Sequence, residues 1–251
     1  MSNSPHVAIA GATGAVGEEM LKCLEQRNFP VGEISLLASA RSAGRKILFR
    51  GEECVVQELG HDSFKGVDIA LFSAGGALSL EYGPSAAKAG AVVIDNSSAF
   101  RMDPEVPLVV PEVNPAAAQA RPKGIIANPN CTTIITMMGL NPLHQKFGLR
   151  SIIASSYQAV SGSGQAGIEE LSDQVKALAE GRTDVPQEVY PQQIAFNVIP
   201  HVDQFVEGGY TREELKMLNE GRKILGLPDL RVTCTCVRVP VYRSHSVSVT
   251  A

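Results

Sequence analysis

HVAIAGATGAVGEEMLKCLEQ, residues 6–26, decides the fold. His6–Ala10 is a short apolar run that stops at a glycine, the pattern of a strand buried on both faces. From Ala15 to Gln26 apolar residues recur at helical spacing, at Val16, Met20, Leu21 and Leu24. Between them lies GATGAVG, Gly11 to Gly17. A glycine turn between strand and helix suits a dinucleotide. The glycines let the backbone approach a pyrophosphate, and the helix N-terminus offers N–H groups and the positive dipole end. The spacing is GxxGxxG, a variant of GxGxxG, and the same glycines would also serve a tight β–α turn.

Working outward, strands are expected at Ile34–Ala38, Cys54–Leu59, Ile69–Ser73, Val92–Asp95 and Ile125–Ala127, with a short helix at Leu80–Ala89. This alternation predicts an α/β protein that opens with a Rossmann-type doubly wound parallel sheet. Near Asn128 the character changes. An apolar helix is expected from Cys131 through Leu143, a strand at Ser151–Val160, and helices at Gly167–Ala179 and Thr211–Leu225. The last opens with a capping box, Thr211 and Glu214. Strand patterns close the chain at Arg231–Val241 and Ser246–Thr250. The expected domains are residues 1–128, binding the nucleotide, and residues 129–251, of α+β type. The final strand pattern has no turn or polar tail after it, so this second domain is expected to be incomplete at its C-terminal end.

Composition bounds the partners. The 251 residues carry a net charge of −4, and 44% are hydrophobic, which is ordinary globular usage. That balance gives no electrostatic reason for a nucleic-acid or membrane partner. Trp is absent and aromatics are 5%, so stacking platforms for single strands are not expected. No apolar run reaches the roughly 20 residues of a membrane span, and no signal peptide opens the chain, so a cytoplasmic location is expected. Five cysteines without a secretion signal read as free thiols.

The residues after the second strand discriminate between cofactors. Ser39-Ala40-Arg41-Ser42 contains no acid to take ribose hydroxyls, and its hydroxyls and guanidinium suit a 2′-phosphate, so NADP is expected over NAD. A second run, Gly162 to Gly167, matches GxGxxG letter for letter but lies deep in the second half among polar residues. It reads as a loop beside the active site that touches the cofactor's nicotinamide half. Cys131 sits at the first turn of a predicted helix, where the dipole favours a thiolate nucleophile. Cys23, Cys54, Cys234 and Cys236 read as packing thiols, and Cys234 and Cys236 share one strand face. No metal site is expected. His245, among Arg238, Arg243 and Ser246, is the candidate general base; His6, His61, His144 and His201 read as surface or capping residues. Arg101 follows a strand end, where open sheets bind ligands. Glu213 and Lys216 stand i,i+3 on one helix, by themselves a surface pair worth little.

Together these stretches resemble aspartate-semialdehyde dehydrogenases. The matching motifs are GATGAVG, SARSAG at Ser39–Gly44, DNSSAFR at Asp95–Arg101, NPNCTT at Asn128–Thr133, SYQAVSGSG at Ser156–Gly164 and RVPVYRSHS at Arg238–Ser246. They occur in family order. The resemblance implies NADP-dependent reductive dephosphorylation of L-4-aspartyl phosphate to L-aspartate 4-semialdehyde, for lysine, threonine and methionine biosynthesis. It makes Cys131 the nucleophile that forms an acyl-thioester and His245 the acid/base. Gln158 orients the substrate or thioester, and Asn130 contributes an amide to the oxyanion site. Arg238 takes the substrate carboxylate and Glu213 its amino group, while Arg101 and Lys216 bind phosphate. Gly11, Thr13, Gly14, Ala15, Val16, Gly17, Ser39, Arg41, Ser42, Ser73, Ser161 and Gly162 hold NADP. The family is usually homodimeric, and the resemblance makes residues 129–251 the catalytic and dimerisation domain. Two other readings are weighed: N-acetyl-γ-glutamyl-phosphate reductase, which shares the fold and cysteine chemistry, and a non-catalytic nucleotide-binding form of the same fold.

Overall fold

A computed structural model describes residues 4–251. The chain divides into two compact units, Met1–Pro129 and Asn130–Ala251.

The first unit runs β1 (His6–Ala10), α1 (Ala15–Gln26), β2 (Glu33–Ala38), β3 (Lys46–Phe49), β4 (Glu52–Val55), β5 (Gln57–Glu58), β6 (Ile69–Phe72), α2 (Gly76–Lys88), β7 (Val92–Asp95) and β8 (Ile125–Ala127). Six of these strands form one parallel sheet in the order β5-β2-β1-β6-β7-β8. The chain winds from β1 out to β5, then returns to β6 on the other side of β1. Open α/β sheets bind ligands at such a reversal. Val7 to Ala10 are all buried, as an apolar run without alternation requires. From α1, Met20, Leu21 and Leu24 pack on Ile9, Leu36 and Val56, whereas Val16 in its first turn is exposed.

The strand expected at Cys54–Leu59 is instead two strands. Val56 is buried between them, and its backbone bonds Gly44 and Arg45. There the chain leaves an antiparallel hairpin with β3 and enters the main sheet as β5. β3 itself was not expected; its signal is the Arg50–Gly51 turn, where both residues have positive φ. α2 begins at Gly76, earlier than the expected Leu80, after Gly75 at φ +91°.

The second unit contains α3 (Cys131–Phe147), β9 (Ser151–Gln158), α4 (Gly164–Ala179), α5 (Arg212–Leu225), β10 (Arg231–Arg238) and β11 (Ser246–Thr250). Its sheet has β9 in the centre, parallel to β10 and antiparallel to β11. On β9, Ile152, Ala154, Ser156 and Gln158 are buried and alternate with more exposed residues, a half-covered sheet. β10 stops at Arg238 rather than Val241 because Pro240 has no N–H to donate and Val241 bonds back to the Val239 carbonyl. α3 continues past Leu143 to Phe147, closed by Gly148 at φ +76°. α4 starts at Gly164 rather than Gly167. The capping box of α5 is present in full.

Cys234 and Cys236 are buried with their sulfurs 3.8 Å apart, and Cys54 is half-buried. Cys23 is exposed rather than packed. It lies two residues after the buried Leu21, which is about 200° around the helix.

Candidate active site

In the first unit, three neighbouring parallel strands, β2, β1 and β6, send their following loops off one edge of the sheet. Gly11 has φ +90°, and a Cβ there would lie 2.5 Å from the Ser73 carbonyl oxygen. A Cβ on Gly17 would lie 2.3 Å from the Gly11 oxygen. Backbone packing therefore demands both glycines. Gly14 differs. It is exposed at φ −87°, and its Cβ would meet only the Gly11 oxygen at 3.4 Å. No side chain caps α1 at this position. Its missing Cβ and the uncapped helix end leave a cradle with N–H donors, the shape and chemistry a pyrophosphate needs. Ser39 and Arg41 are exposed and Ser42 half-buried in the single 3-10 turn after β2. Thr13, Ala15 and Ser73 are half-buried along the same edge.

The turn after β7 holds Arg101. Asp95 is fully buried and accepts from the Ser79 hydroxyl at 2.7 Å and from the Ser97 hydroxyl and N–H at 2.7 and 3.1 Å. That shapes the loop whose Asn96 carbonyl accepts from Arg101 Nη2 at 3.0 Å. Arg101 Nε donates to the Asn128 carbonyl at 2.9 Å.

In the second unit the register explains how distant residues meet. Gln158 ends β9 and pairs with Arg238, which ends β10. Ser246 opens β11 opposite Tyr157, so His245 reaches the same sheet edge. Cys131 is the first residue of α3 and is exposed. Asn130 caps that helix, its Oδ1 accepting from the N–H groups of Thr132 and Thr133 at 3.0 and 3.2 Å. Its own N–H donates to Glu220 at 2.6 Å and its Nδ2 to Glu213 Oε1 at 2.9 Å. Glu213 and Glu220 lie two turns apart on the buried face of α5, so one helix face holds the turn before Cys131 from both sides. Gln158 Nε2 donates to Thr132 Oγ1 at 2.6 Å and to Glu213 Oε1 at 3.1 Å.

Glu213 and Lys216 are thus no surface pair. Lys216 Nζ donates to Glu213 Oε2 at 2.7 Å and to Asp203 at 3.1 Å. Burial opposes ionisation of Glu213, yet Lys216 and the amides of Asn130 and Gln158 outweigh it and hold the carboxyl below its usual range. Burial likewise works against the Lys216 charge, and the two carboxylates prevail, raising its pKa.

Arg238 Nη1 donates to the Ala159 carbonyl at 2.7 Å. The Ala159 N–H donates to His245 Nδ1 at 3.0 Å. A backbone N–H can only donate, so the neutral ring carries its proton on Nε2. Burial and then the Arg238 charge push the His245 pKa down, with Glu213 pulling the other way. The sequence pointed to neither Asp203 nor Glu220, and gave Thr132 no role beyond its place in NPNCTT beside Cys131. Their only signal was polarity within or beside helices predicted to pack. Among the described residues, no group of three or more His, Cys, Asp or Glu side chains could hold a metal, and no helix is long and apolar enough to cross a membrane.

Residues 6–121 match the family model of the semialdehyde dehydrogenase NAD-binding domain, and residues 140–251 that of the semialdehyde dehydrogenase dimerisation domain. The chain is 55% identical to an aspartate-semialdehyde dehydrogenase of Aquifex aeolicus, over 97% of this chain and 72% of the relative. It is 52% identical to that of Bacillus subtilis, over 99% and 73%. The chain belongs to the aspartate-semialdehyde dehydrogenase family. A crystal structure of aspartate semialdehyde dehydrogenase II from Vibrio cholerae complexed with ASA superposes with a TM-score of 0.96 at 51% identity, over 99% of this chain and 74% of that one. One with NADP from Candida albicans gives 0.73 at 26% identity, over 98% and 71%. As a member of the aspartate-semialdehyde dehydrogenase family, the protein is an oxidoreductase of amino-acid biosynthesis that uses a nicotinamide cofactor.

Proposed function

We propose that the protein converts L-4-aspartyl phosphate to L-aspartate 4-semialdehyde with NADP as cofactor, through a thioester on Cys131. The observation that carries this reading is the shared edge of the second sheet, where Gln158, Arg238 and His245 stand together while α5 binds the turn before Cys131. The positive end of α3 favours negative charge at its first residue, which suits a thiolate. That thiolate attacks the acyl carbon and phosphate leaves, its charge taken by Lys216 and Arg101. Arg238 holds the substrate carboxylate and Glu213 its ammonium. Gln158 orients the bound acyl group, and the remaining Nδ2–H of Asn130 donates a hydrogen bond to the oxyanion. The cofactor, when bound, supplies hydride. His245 Nε2–H donates a hydrogen bond to the oxyanion of the resulting hemithioacetal, which collapses to aldehyde and free thiolate while the ring keeps its proton. Gly11 to Gly17 would hold the pyrophosphate, Ser73 would line the cradle, and Ser161 and Gly162 would meet the nicotinamide half. We also propose a homodimer, which the description of the second matching model supports. Phosphate-dependent NADPH formation from L-aspartate semialdehyde tests the reaction; turnover indifferent to phosphate would overturn it.

Two further results are expected. Arg41 is the only cation in the turn after β2, and no acid stands there to take a ribose hydroxyl. Arg41→Ala should therefore raise KM for NADP about tenfold and leave KM for NAD nearly unchanged. Equal loss for both cofactors would remove the 2′-phosphate role. The second result concerns pH. Because burial and Arg238 depress the His245 pKa, the ring is neutral at pH 7 and charges only on acidification. kcat/KM should stay flat through pH 7 and fall as pH drops through that lowered pKa, and His245→Gln should lose this acid limb. A limb centred above the ordinary histidine value of about 6.5 would contradict the assignment.

A further inference from the structure

The second glycine run has a spacing that cofactor contacts do not explain. A Cβ on Gly162 would lie 2.9 Å from Arg238 Nη1 and 3.5 Å from His245 Nε2. A Cβ on Gly167 would lie 2.5 Å from the Tyr190 hydroxyl oxygen and 2.6 Å from the Val160 carbonyl oxygen. These two glycines make room for side chains of the second unit.

Tyr190 is the side chain admitted by Gly167. It is buried, its hydroxyl donates to the Val160 carbonyl at 3.2 Å, and its ring centroid lies 5.8 Å from the Arg238 guanidinium carbon. Two buried residues of α4, one turn apart, hold it there. Glu170 accepts the N–H groups of Glu188 at 2.8 Å, Val189 at 2.6 Å and Tyr190 at 3.3 Å. Gln174 donates to the Pro186 carbonyl at 2.6 Å and accepts from Ile194 and Ala195, both at 2.9 Å. On the open side lies a cavity of about 540 Å³ lined in part by Tyr190, Asp203 and Arg238. A guanidinium released from the ring has space to enter and a carboxylate to approach.

We propose that Tyr190 is a positioning residue: its ring, seated by Gly167 and Glu170, fixes the Arg238 guanidinium against the substrate carboxylate and beside His245. This rests on the roles assigned above to Arg238 and His245. The charged groups facing His245 are Arg238 from β10 and Glu213 from α5, of opposite effect. Moving Arg238 away leaves burial, the larger cause, in place but removes the second cause of the lowered His245 pKa, so that pKa should rise.

The test compares Tyr190→Leu and Tyr190→Phe in the full chain. Tyr190→Leu should raise KM for L-aspartate semialdehyde about fivefold, the scale of a cation–π contact at the weaker end of its range. KM for phosphate should stay within about twofold, and the acid limb of kcat/KM should move to higher pH. Tyr190→Phe keeps the ring and should restore both values. NMR titration of the His245 ring reads the same shift without turnover, so it stands even if the proposed reaction fails. Glu170→Gln, which loosens the loop but keeps the ring, should shift His245 in the same direction if Tyr190→Leu does not fold. An unmoved His245 titration in a folded Tyr190→Leu or Glu170→Gln protein, or equal rises in both KM values, would overturn the proposal.

Discussion

Cys131→Ala should abolish phosphate-dependent NADPH formation, leaving less than about one part in ten thousand of kcat. The size follows from the chemistry. On the proposed mechanism no acyl-enzyme forms without the thiol, and neither half-reaction has a substitute nucleophile. The fold should not notice. Cys131 is exposed at the first position of α3, and Asn130 holds the turn that starts the helix through Thr132, Thr133, Glu213 and Glu220. The melting temperature should therefore stay within about 2 °C. Retained turnover would exclude the thioester. Lost turnover with a large drop in melting temperature would mean that the thiol serves the helix, and would not count as evidence for a nucleophile.

The second large effect separates glycines that look alike in sequence. Gly17→Ala pushes a Cβ against the Gly11 carbonyl oxygen at 2.3 Å and Ala12 Cα at 2.8 Å. Both are backbone, so α1 must move off the start of its strand. A cost of about 2–4 kcal/mol is expected, enough to leave the first unit marginal in a denaturant titration. Gly14→Ala should behave differently. Its Cβ clears every neighbour by 3.4 Å or more and its φ is ordinary, so stability should change little. What the new methyl occupies is the cradle at the helix end, so KM for the cofactor should rise at least about tenfold. Similar stability loss in both variants, or unchanged cofactor affinity in Gly14→Ala, would reassign the loop to packing alone.

Much of the fold is legible in the sequence because burial on both faces leaves an unmistakable trace. His6–Ala10 and the helix behind it need no tertiary information, and the α5 start is written in Thr211 and Glu214. The hairpin of β3 and β4 was not legible. Its apolar runs are short and interrupted by the exposed Lys46, Glu52 and Glu53, and the strand break at Val56 depends on which neighbour its backbone meets. Within the site, Cys131 and His245 stood out because their neighbours are polar where packing residues would be apolar. Glu213 and Lys216 were legible as a pair, but not as a buried one, since a helix spacing of three carries no information about what covers it. Tyr190 was invisible for a related reason: its importance lies in Gly167 and Arg238, which are 23 and 48 positions away.

Glu213 accepts the amide that seats the start of α3, the amide at the end of β9 and the ammonium one turn along its own helix. A carboxylate so placed is a keystone, whatever part it takes in the substrate recognition proposed above. Exchanging it to accept a different substrate would leave the buried Asn130 amide without an acceptor, a loss of about 1–3 kcal/mol, and the Gln158 amide with Thr132 alone. Changes of substrate preference in this scaffold must then arise elsewhere, at partly exposed positions such as Asp203 that touch the same lysine while carrying less of the fold. The arrangement channels the evolutionary freedom of the site to its rim.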